Sequence, residues 1–256
     1  MRPVFTTSPV WIRTWTALRA VTAALIVAAV VAQAVRTFTQ AGDRGQDEGT
    51  VVANFFSFFT ILSNCAAAIV LAWAVGWALR SRSSAMRSEG PAGASRDSVE
   101  PRSLAVCLVS VSTYMIITGV VYNLLLRGVN LEPGTTVAWS NEVLHSVGPA
   151  FLALDVALGP FRRRLDRSAV LATLIFPVVW IAYTLLRGPH VVNPRTGASW
   201  WYPYPFLDPH SDGGWPSVWF HVAGIAAGIV AVALLVVAVG RVRTRDVMPE
   251  TAGATA

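Results

Sequence analysis

Residues 217–239 read SVWFHVAGIAAGIVAVALLVVAV and contain no Asp, Glu or Arg. An α-helix needs about 20 such residues to cross the ~30 Å hydrocarbon core of a bilayer. Five other stretches have the same character, so we predict six spans, at 17–35, 51–79, 104–126, 137–158, 169–186 and 217–239. The expected fold is an all-α polytopic membrane bundle of six transmembrane helices, because helices satisfy their own backbone groups in lipid.

The composition supports this class. The chain has 256 residues, of which 54% are hydrophobic and 13% are charged, whereas soluble domains have about 25% charged residues. Six spans leave no room for a soluble domain, so we predict one domain over residues 1–245. The net charge of +6 does not indicate nucleic acid binding, because the basic residues follow the connecting segments. The predicted partners are membrane lipids and a lipid-like small molecule.

The distribution of arginine predicts the orientation. With a cytoplasmic N-terminus, the inner segments hold Arg2, Arg13, Arg80, Arg82, Arg87, Arg96, Arg102, Arg162, Arg163, Arg164, Arg167, Arg241, Arg243 and Arg245. The outer segments hold Arg36, Arg44, Arg127, Arg187 and Arg195, and Arg19 lies within the first span. Cytoplasmic loops carry an excess of basic residues, so both termini are predicted to be cytoplasmic in a multi-pass protein of the cell membrane.

The first span has a second interpretation. A basic lead, an apolar core and the tripeptide Ala32-Gln-Ala34 resemble a secretory signal peptide, and cleavage would leave five spans. We favour a retained span, because the apolar run continues from Arg19 to Val35 and the lead is long.

The connecting segments differ in character. Residues 80–101 are rich in Ser, Arg, Gly and Ala and are predicted to form a flexible cytoplasmic linker. Residues 246–256 are a polar tail that we expect to be disordered. The outer loop 187–216 is dense in proline and aromatic residues. It either folds back over the mouth of the bundle or acts only as an aromatic anchor at the membrane interface. If it covers the mouth, the residues that control substrate access are Trp201, Tyr202, Tyr204 and Phe206.

Polar side chains follow one face of the second predicted span. At 100° per residue, Ser57, Thr60 and Asn64 share a narrow stripe, with Ser63 beside it. Such a stripe within lipid must face protein or water. Hydrogen bonding between helices is the simpler explanation for each residue, and a functional site is the alternative.

The fourth predicted span contains a titratable pair, Glu142 and His145, one helical turn apart. An ionisable group inside a membrane is costly and is usually kept for function. At 1.5 Å per residue, Thr60 and His145 lie about 13 and 12 Å from the outer ends of their spans, so we expect them at the same depth. Tyr122, Asn123 and His221 are predicted to support the site from the same outer half. Asp155, near the inner interface, is expected to cap or pair with the Arg162–Arg164 cluster.

This combination suggests nucleophilic catalysis. A hydroxyl such as that of Thr60 becomes a nucleophile when a neutral His accepts its proton, and Glu142 is positioned to orient the ring of His145. A metal site is the weaker reading, since only Glu142, His145 and His221 are available as ligands and no metal-binding spacing is present. No nucleotide or cofactor motif occurs, so we predict neither metal nor cofactor.

Four segments resemble known membrane proteins. Phe58-Phe-Thr60-Ile-Leu-Ser63-Asn64, Gly119-Val-Val-Tyr122, Leu144-His145-x3-Pro149-x5-Asp155 and Tyr202-Pro-Tyr-Pro-Phe206-Leu-Asp208 are similar to motifs of the bacterial six-span Pr-six-Pr proteins. More distantly they resemble the animal androgen-induced-gene/FAR-17a family, whose members hydrolyse fatty acid esters of hydroxy fatty acids with an intramembrane Thr and His. The resemblance implies that Thr60 and His145 are catalytic; it assigns no role to Glu142.

Two other function classes remain open. A transporter or channel for a small solute would use Glu142 and His145 on its pathway, and a non-catalytic membrane scaffold would use neither. A transporter is expected to carry polar groups on both sides of the midplane. The polar groups of this chain lie mainly in the outer half, which favours a one-sided pocket.

The predicted topology can be tested with reporter fusions. Fusions after Arg87 and Arg164 are expected to report a cytoplasmic location, and fusions after Gly45 and Gly197 an external one, because the arginine bias orients the whole bundle. An external signal at Arg164 would contradict the six-span topology.

Overall fold

The computed structural model describes residues 8–87, 99–128, 135–160 and 163–245, and all regular structure in these ranges is helical. The α-helices are α1 (Pro9–Asp43), α2 (Glu48–Phe55), α3 (Phe59–Arg87), α4 (Arg102–Val121), α5 (Ala138–Glu142), α6 (Gly148–Leu158), α7 (Ser168–Arg187) and α8 (Gly214–Arg245). Two π-helical segments, Tyr122–Leu126 and Val143–Val147, continue α4 and join α5 to α6. The predicted all-α class is therefore confirmed.

Five of these elements are long and apolar enough to cross a membrane, counted over the described ranges. They are Pro9–Asp43, Phe59–Ser81, Arg102–Leu126, Ser168–His190 and Gly214–Arg243. Their outward faces are apolar as well: Leu171, Ile175 and Leu186 of α7 are all well exposed. Apolar surface of this extent is typical of a protein that faces lipid. The chain thus has the architecture of a multi-pass membrane protein.

The fourth predicted span is helical from Ala138 to Leu158. It is less apolar than the five helices above, because it carries several polar residues, Glu142 and Asp155 among them. It nevertheless runs antiparallel to α1 along the bundle. Ser140 Oγ donates to the Ala29 carbonyl near one end of this segment (2.7 Å), and Asp155 contacts α1 near the other. Its crossing of the membrane, and with it the count of six, stays a prediction.

The second predicted span is not one helix, contrary to the sequence analysis. α2 ends at Phe55 and α3 begins at Phe59, with a turn between them. Ser57 explains the interruption: its hydroxyl donates to the Ala53 carbonyl (2.7 Å), and its carbonyl accepts from the indole N–H of Trp180 (2.9 Å). Side-chain hydrogen bonds of this kind compete with the helical pattern. Thr60 therefore lies in the first turn of a new helix.

The predicted linker begins later than expected. α3 continues through Arg80 to Arg87, so the first third of 80–101 is helical. Residues 88–98 of this linker and the predicted tail 246–256 lie outside the described residues.

α4 occupies the centre of the bundle. Leu108 and Met115 are completely buried, and the helix packs on α3, α6, α7 and α8. Gly119 allows α6 to approach closely, because a Cβ at this position would lie 2.8 Å from Cβ of Pro149. Real Cβ atoms do not come this close, so the crossing of α4 and α6 requires glycine here.

Proline shapes α7. Pro177 lies inside the helix and has no N–H, so the carbonyl of Thr173 has no helical donor. The hydroxyl of Tyr114 on α4 donates to this carbonyl at 2.7 Å. The break in α7 is thereby tied to the central helix.

A buried ion pair joins α1 to α6. Nε of Arg19 lies 2.8 Å from Oδ1 of Asp155, and the two residues are 2% and 0% exposed. The indole N–H of Trp15 donates to the same carboxylate. We expected Asp155 to cap or pair with the Arg162–Arg164 cluster, of which Arg162 lies outside the described residues; its ion pair with Arg19 on another helix was not predicted. The sequence signal that could have indicated this pair was the presence of two opposite charges, Arg19 and Asp155, each inside an apolar predicted span.

Breaking this pair should destabilise the bundle. Arg19→Leu or Asp155→Leu alone leaves a buried charge without its partner, and we expect the loss of about 3–5 kcal/mol from the free energy of unfolding. The double variant should recover much of this loss, since neither charge of the pair remains. Thermal unfolding of the purified protein in detergent measures all three. Equal stability of the single and double variants would contradict the argument.

Candidate functional site

A cavity of about 130 Å³ lies among α3, α4, α7, α8 and the loop between α7 and α8. Its walls are almost entirely apolar: Phe59, Ile117, Val121, Leu126, Leu174, Pro177, Val178, Trp180, Ile181, Phe206, Leu207, Val222, Ile225, Ala226 and Ile229. Its polar side chains are Thr60, Thr118, Tyr122 and Tyr204. An apolar cavity with a few polar groups is typical of a small-molecule site.

The wall of the cavity that α7 and α8 form lies next to the outside of the bundle. Val178 of α7 and Ala226 of α8 line the cavity and are also exposed at the bundle surface. Both helices belong to the apolar, membrane-length set. This wall of the cavity therefore lies on the apolar, outward-facing side of the bundle.

Thr60 is held at this cavity by its backbone and its side chain. The residue is 7% exposed. Its N–H donates to the hydroxyl of Tyr204 (3.2 Å), and its Oγ1 lies 3.3 Å from the same oxygen. The first N–H groups of a helix have no acceptor within the helix, so Tyr204 supplies one from the loop.

His145 lies on the neighbouring π-helical segment. Its Nδ1 is 2.9 Å from the carbonyl oxygen of Asn141. A carbonyl only accepts, so Nδ1 carries the proton and Nε2 remains an acceptor, which is the form a general base needs. The ring stacks on Tyr122, with centroids 4.0 Å apart.

No hydrogen bond joins Thr60 to His145 in this structure. Tyr122 lies between the two residues: it lines the cavity together with Thr60, and its ring stacks on that of His145. Asn64 provides a second connection: its amide nitrogen donates to the carbonyls of Thr60 (2.9 Å) and Leu144 (3.1 Å). The two residues predicted to be catalytic are thus at one level of the bundle without touching.

The π-helical segment explains why Asn64 is needed. Gly148 N–H donates to the carbonyl of Val143, five residues back. In that register the carbonyl of Leu144 would pair with residue 149, which is a proline without N–H. The amide of Asn64 takes its place. π-Helical segments occur frequently at functional sites, and both segments of this chain meet at the Tyr122–His145 stack.

Glu142 has different partners from those we predicted. Its carboxylate is half exposed, forms an ion pair with Arg127 (3.0 Å) and accepts from the hydroxyl of Ser146 (2.8 Å). The place of the orienting group for His145 is taken by the carbonyl of Asn141. The carboxylate forms no hydrogen bond with the imidazole.

The other predicted supporting residues make mostly structural contacts. Besides its bond to Ala53, Ser57 Oγ lies 3.2 Å from the hydroxyl of Tyr183. Asn123 donates to the Gly119 carbonyl within its own helix (2.8 Å). His221 Nδ1 lies 2.8 Å from the Ser217 carbonyl, and its ring stacks on Phe206. Tyr122 accepts from the amide of Asn141 at 2.5 Å; of this group, it alone lines the cavity.

The aromatic loop packs into the end of the bundle. Tyr204 is 8% exposed, and its ring meets Phe58 edge to face and stacks on Phe206. Trp201 packs edge to face on Phe58. Tyr202 lies against Gly188, where an added Cβ would fall 2.2 Å from the ring. Two of the four predicted loop residues, Tyr204 and Phe206, line the cavity itself.

Burial also fixes the ionisation of Tyr204. Desolvation raises the pKa of its phenol above the ordinary value, more than its hydrogen bonds to Thr60 lower it. The hydroxyl is therefore protonated at neutral pH and available as a donor. We predicted Tyr204 as a residue of the substrate-entry loop; its hydrogen bonds to Thr60 are an addition from the structure.

The comparisons add no family assignment: no protein-family model, curated protein or solved structure matches the chain. Across the described ranges, no group of three or more His, Cys, Asp and Glu side chains is arranged to hold a metal ion. The Glu142, His145 and His221 set considered above is therefore not assembled.

Proposed function

We propose that this protein is an integral enzyme of the cell membrane that hydrolyses lipid esters of the fatty-acid-ester type, with Thr60 as nucleophile and His145 as base. The observation that carries the proposal is the position of Thr60. The residue is buried and lies at an apolar cavity whose wall includes two membrane-length helices, α7 and α8, with side chains that are also exposed at the bundle surface. A site of this shape selects a substrate that is dissolved in the bilayer.

The chemistry follows the pattern of acyl transfer through a covalent intermediate. Oγ1 of Thr60 forms a bond to the ester carbonyl carbon while its proton passes to Nε2 of His145. The ester C–O bond then breaks, the leaving alcohol takes that proton, and an acyl-Thr60 ester remains. A water molecule then gives a proton to Nε2 of His145, and its oxygen forms a bond to the acyl carbon. The bond from this carbon to Oγ1 breaks, His145 returns the proton to Oγ1, and the fatty acid is released.

The separation of Thr60 from His145 sets a requirement on this mechanism. A bridging water or a rotation of the Tyr122 ring has to connect the two groups, because Tyr122 stacks on the imidazole and lines the cavity. Catalytic hydrogen bonds often form only in the substrate complex. The tautomer of His145, with Nε2 unprotonated, already suits the task.

The competing functions have less support. A transporter needs a polar path across the midplane. The buried charges on the far side, Arg19 and Asp155, bind each other, and neither lines the cavity. A scaffold would explain the helix packing but gives no reason for a cavity with a Thr hydroxyl at its wall.

Removal of the Thr60 hydroxyl tests the proposal. Thr60→Val is nearly isosteric and should abolish hydrolysis, whereas Thr60→Ser should retain part of it because the hydroxyl survives. His145→Ala should be as inactive as Thr60→Val, and the double variant no worse, since residues that act as a unit are non-additive. The measurement is turnover of a panel of lipid esters by purified protein, together with labelling by a fluorophosphonate probe.

Expression and thermal stability serve as controls: Thr60→Val should still fold, with a loss of about 1–3 kcal/mol in the free energy of unfolding because the buried Tyr204 hydroxyl loses its acceptor. A folded Thr60→Val protein that still turns over esters would show that the nucleophile is elsewhere. A wild-type protein that acts on no ester of the panel would favour the scaffold.

The size of the cavity should set the preferred acyl chain. From Val222 to Ile229 the cavity follows α8 for about 10 Å, and Ile229 is 4% exposed at the end remote from the loop. Ile229→Ala should shift the ratio of kcat/KM toward longer acyl chains, and Ala226→Leu toward shorter ones. Leu235→Ala, at an exposed position outside the cavity, is the matched control. An unchanged chain-length profile in both cavity variants would contradict this assignment.

A further inference from the structure

We propose that Tyr204 is a positioning residue for Thr60, whose phenol donates a hydrogen bond to Thr60 Oγ1 and turns the Thr60 proton toward the cavity. The inference rests on the proposed role of Thr60 as nucleophile. It assigns a specific task to a residue of the loop that otherwise serves only as part of the cavity wall.

Accounting for each proton gives the direction of the bond. The oxygen of Tyr204 accepts from the N–H of Thr60 at 3.2 Å. Its own proton needs an acceptor, and Oγ1 of Thr60 lies 3.3 Å away. The reverse direction would leave the Tyr204 proton buried without an acceptor, which is unfavourable. With Tyr204 as donor, the proton of Thr60 is free to point to a base or a substrate.

Packing fixes the phenol where this bond requires it. The ring of Tyr204 lies edge to face on Phe58 (5.6 Å) and stacks on Phe206 (5.1 Å). The next turn of the loop, Pro205–Leu207, is a short 3₁₀-helix, and Leu207 is buried at 1% exposure. A donor that packing already holds in place before the reaction needs little reorganisation free energy to reach the transition state.

The donor is most useful while charge develops on Thr60. As the proton leaves Oγ1, the bond from the phenol becomes a hydrogen bond to a charged oxygen, which is shorter and stronger than one to a neutral oxygen. Tyr204 keeps its own proton throughout, in agreement with the raised pKa of its buried phenol. The charge then passes to the carbonyl oxygen as the Oγ1–carbon bond forms.

Tyr204→Phe is the direct test, because it removes the hydroxyl and keeps the ring. We expect kcat for ester hydrolysis to fall at least about tenfold with KM unchanged. The matched control is Tyr183→Phe, which also removes one phenol hydroxyl and keeps the ring, at a residue of α7 that is 44% exposed and does not line the cavity. This variant should keep the wild-type kcat. A wild-type or increased kcat in Tyr204→Phe, or a change in KM alone, would overturn the inference.

A second measurement does not depend on turnover. Thr60→Cys, with Cys65→Ala and Cys107→Ala to remove the native thiols, places a titratable sulfur at the same point. Alkylation by iodoacetamide as a function of pH reports the pKa of that thiol. Adding Tyr204→Phe should raise the midpoint by about one pH unit, because the thiolate loses its donor. An unchanged midpoint would count against the bond.

The two proposals fail in distinguishable ways. Turnover by Thr60→Val would remove the proposed function, and with it the catalytic meaning of Tyr204. An inactive Thr60→Val beside a fully active Tyr204→Phe would remove only the inference. The double variant Thr60→Val/Tyr204→Phe should be no less active than Thr60→Val alone, since Tyr204 acts through Thr60.

Discussion

A backbone carbonyl that loses its helical donor inside an apolar bundle has to find another donor in the protein, because lipid supplies none. Three carbonyls in the described part of the chain illustrate this. The carbonyl of Thr173 has no helical donor because Pro177 has no N–H, and it accepts from the hydroxyl of Tyr114 instead. The carbonyl of Leu144 has no helical donor because Pro149 has no N–H, and it accepts from the side-chain amide of Asn64 instead. The carbonyl of Ser57, at the break before α3, accepts from Trp180. Each replacement donor comes from a different helix, so each break also fixes how two helices pack.

Two of these replacement hydrogen bonds lie beside the cavity. Pro177 and Trp180 line it from α7, and the break before α3 places Thr60 in a first helical turn with an N–H to spare. An unbroken second span would have used that N–H within the helix and left Tyr204 without its contact. The irregular backbone is therefore what allows the loop, the cavity and Thr60 to meet.

The sequence predicted what depends on local composition. The apolar runs predicted the existence and the approximate position of the five membrane-length helices, but α1 is eight residues longer at each end than predicted, the second span is interrupted at Ser57, and α3 extends past Arg80. The hydrogen-bond and ion-pair partners were harder to predict, because a polar stripe shows that its side chains need partners but does not show which residues these are. Glu142 binds Arg127, and Asp155 binds Arg19 on a helix far away in sequence. Long-range pairs of this kind depend on helix packing, which periodicity does not specify.

Two buried polar regions of the bundle differ in how completely their hydrogen-bonding groups are satisfied, and the proposed function uses the less satisfied one. At one end the carboxylate of Asp155 receives two hydrogen bonds from Arg19 and one from Trp15, an arrangement that fastens α1 to α6. At the other end Thr60 keeps a proton to donate once Tyr204 occupies its oxygen, and Nε2 of His145 remains an acceptor. A bundle held together only for stability has no use for an open donor and an open acceptor beside an apolar cavity. A bound ester would use both, with its oxygens at the polar side chains and its alkyl chain along Ile225 and Ile229.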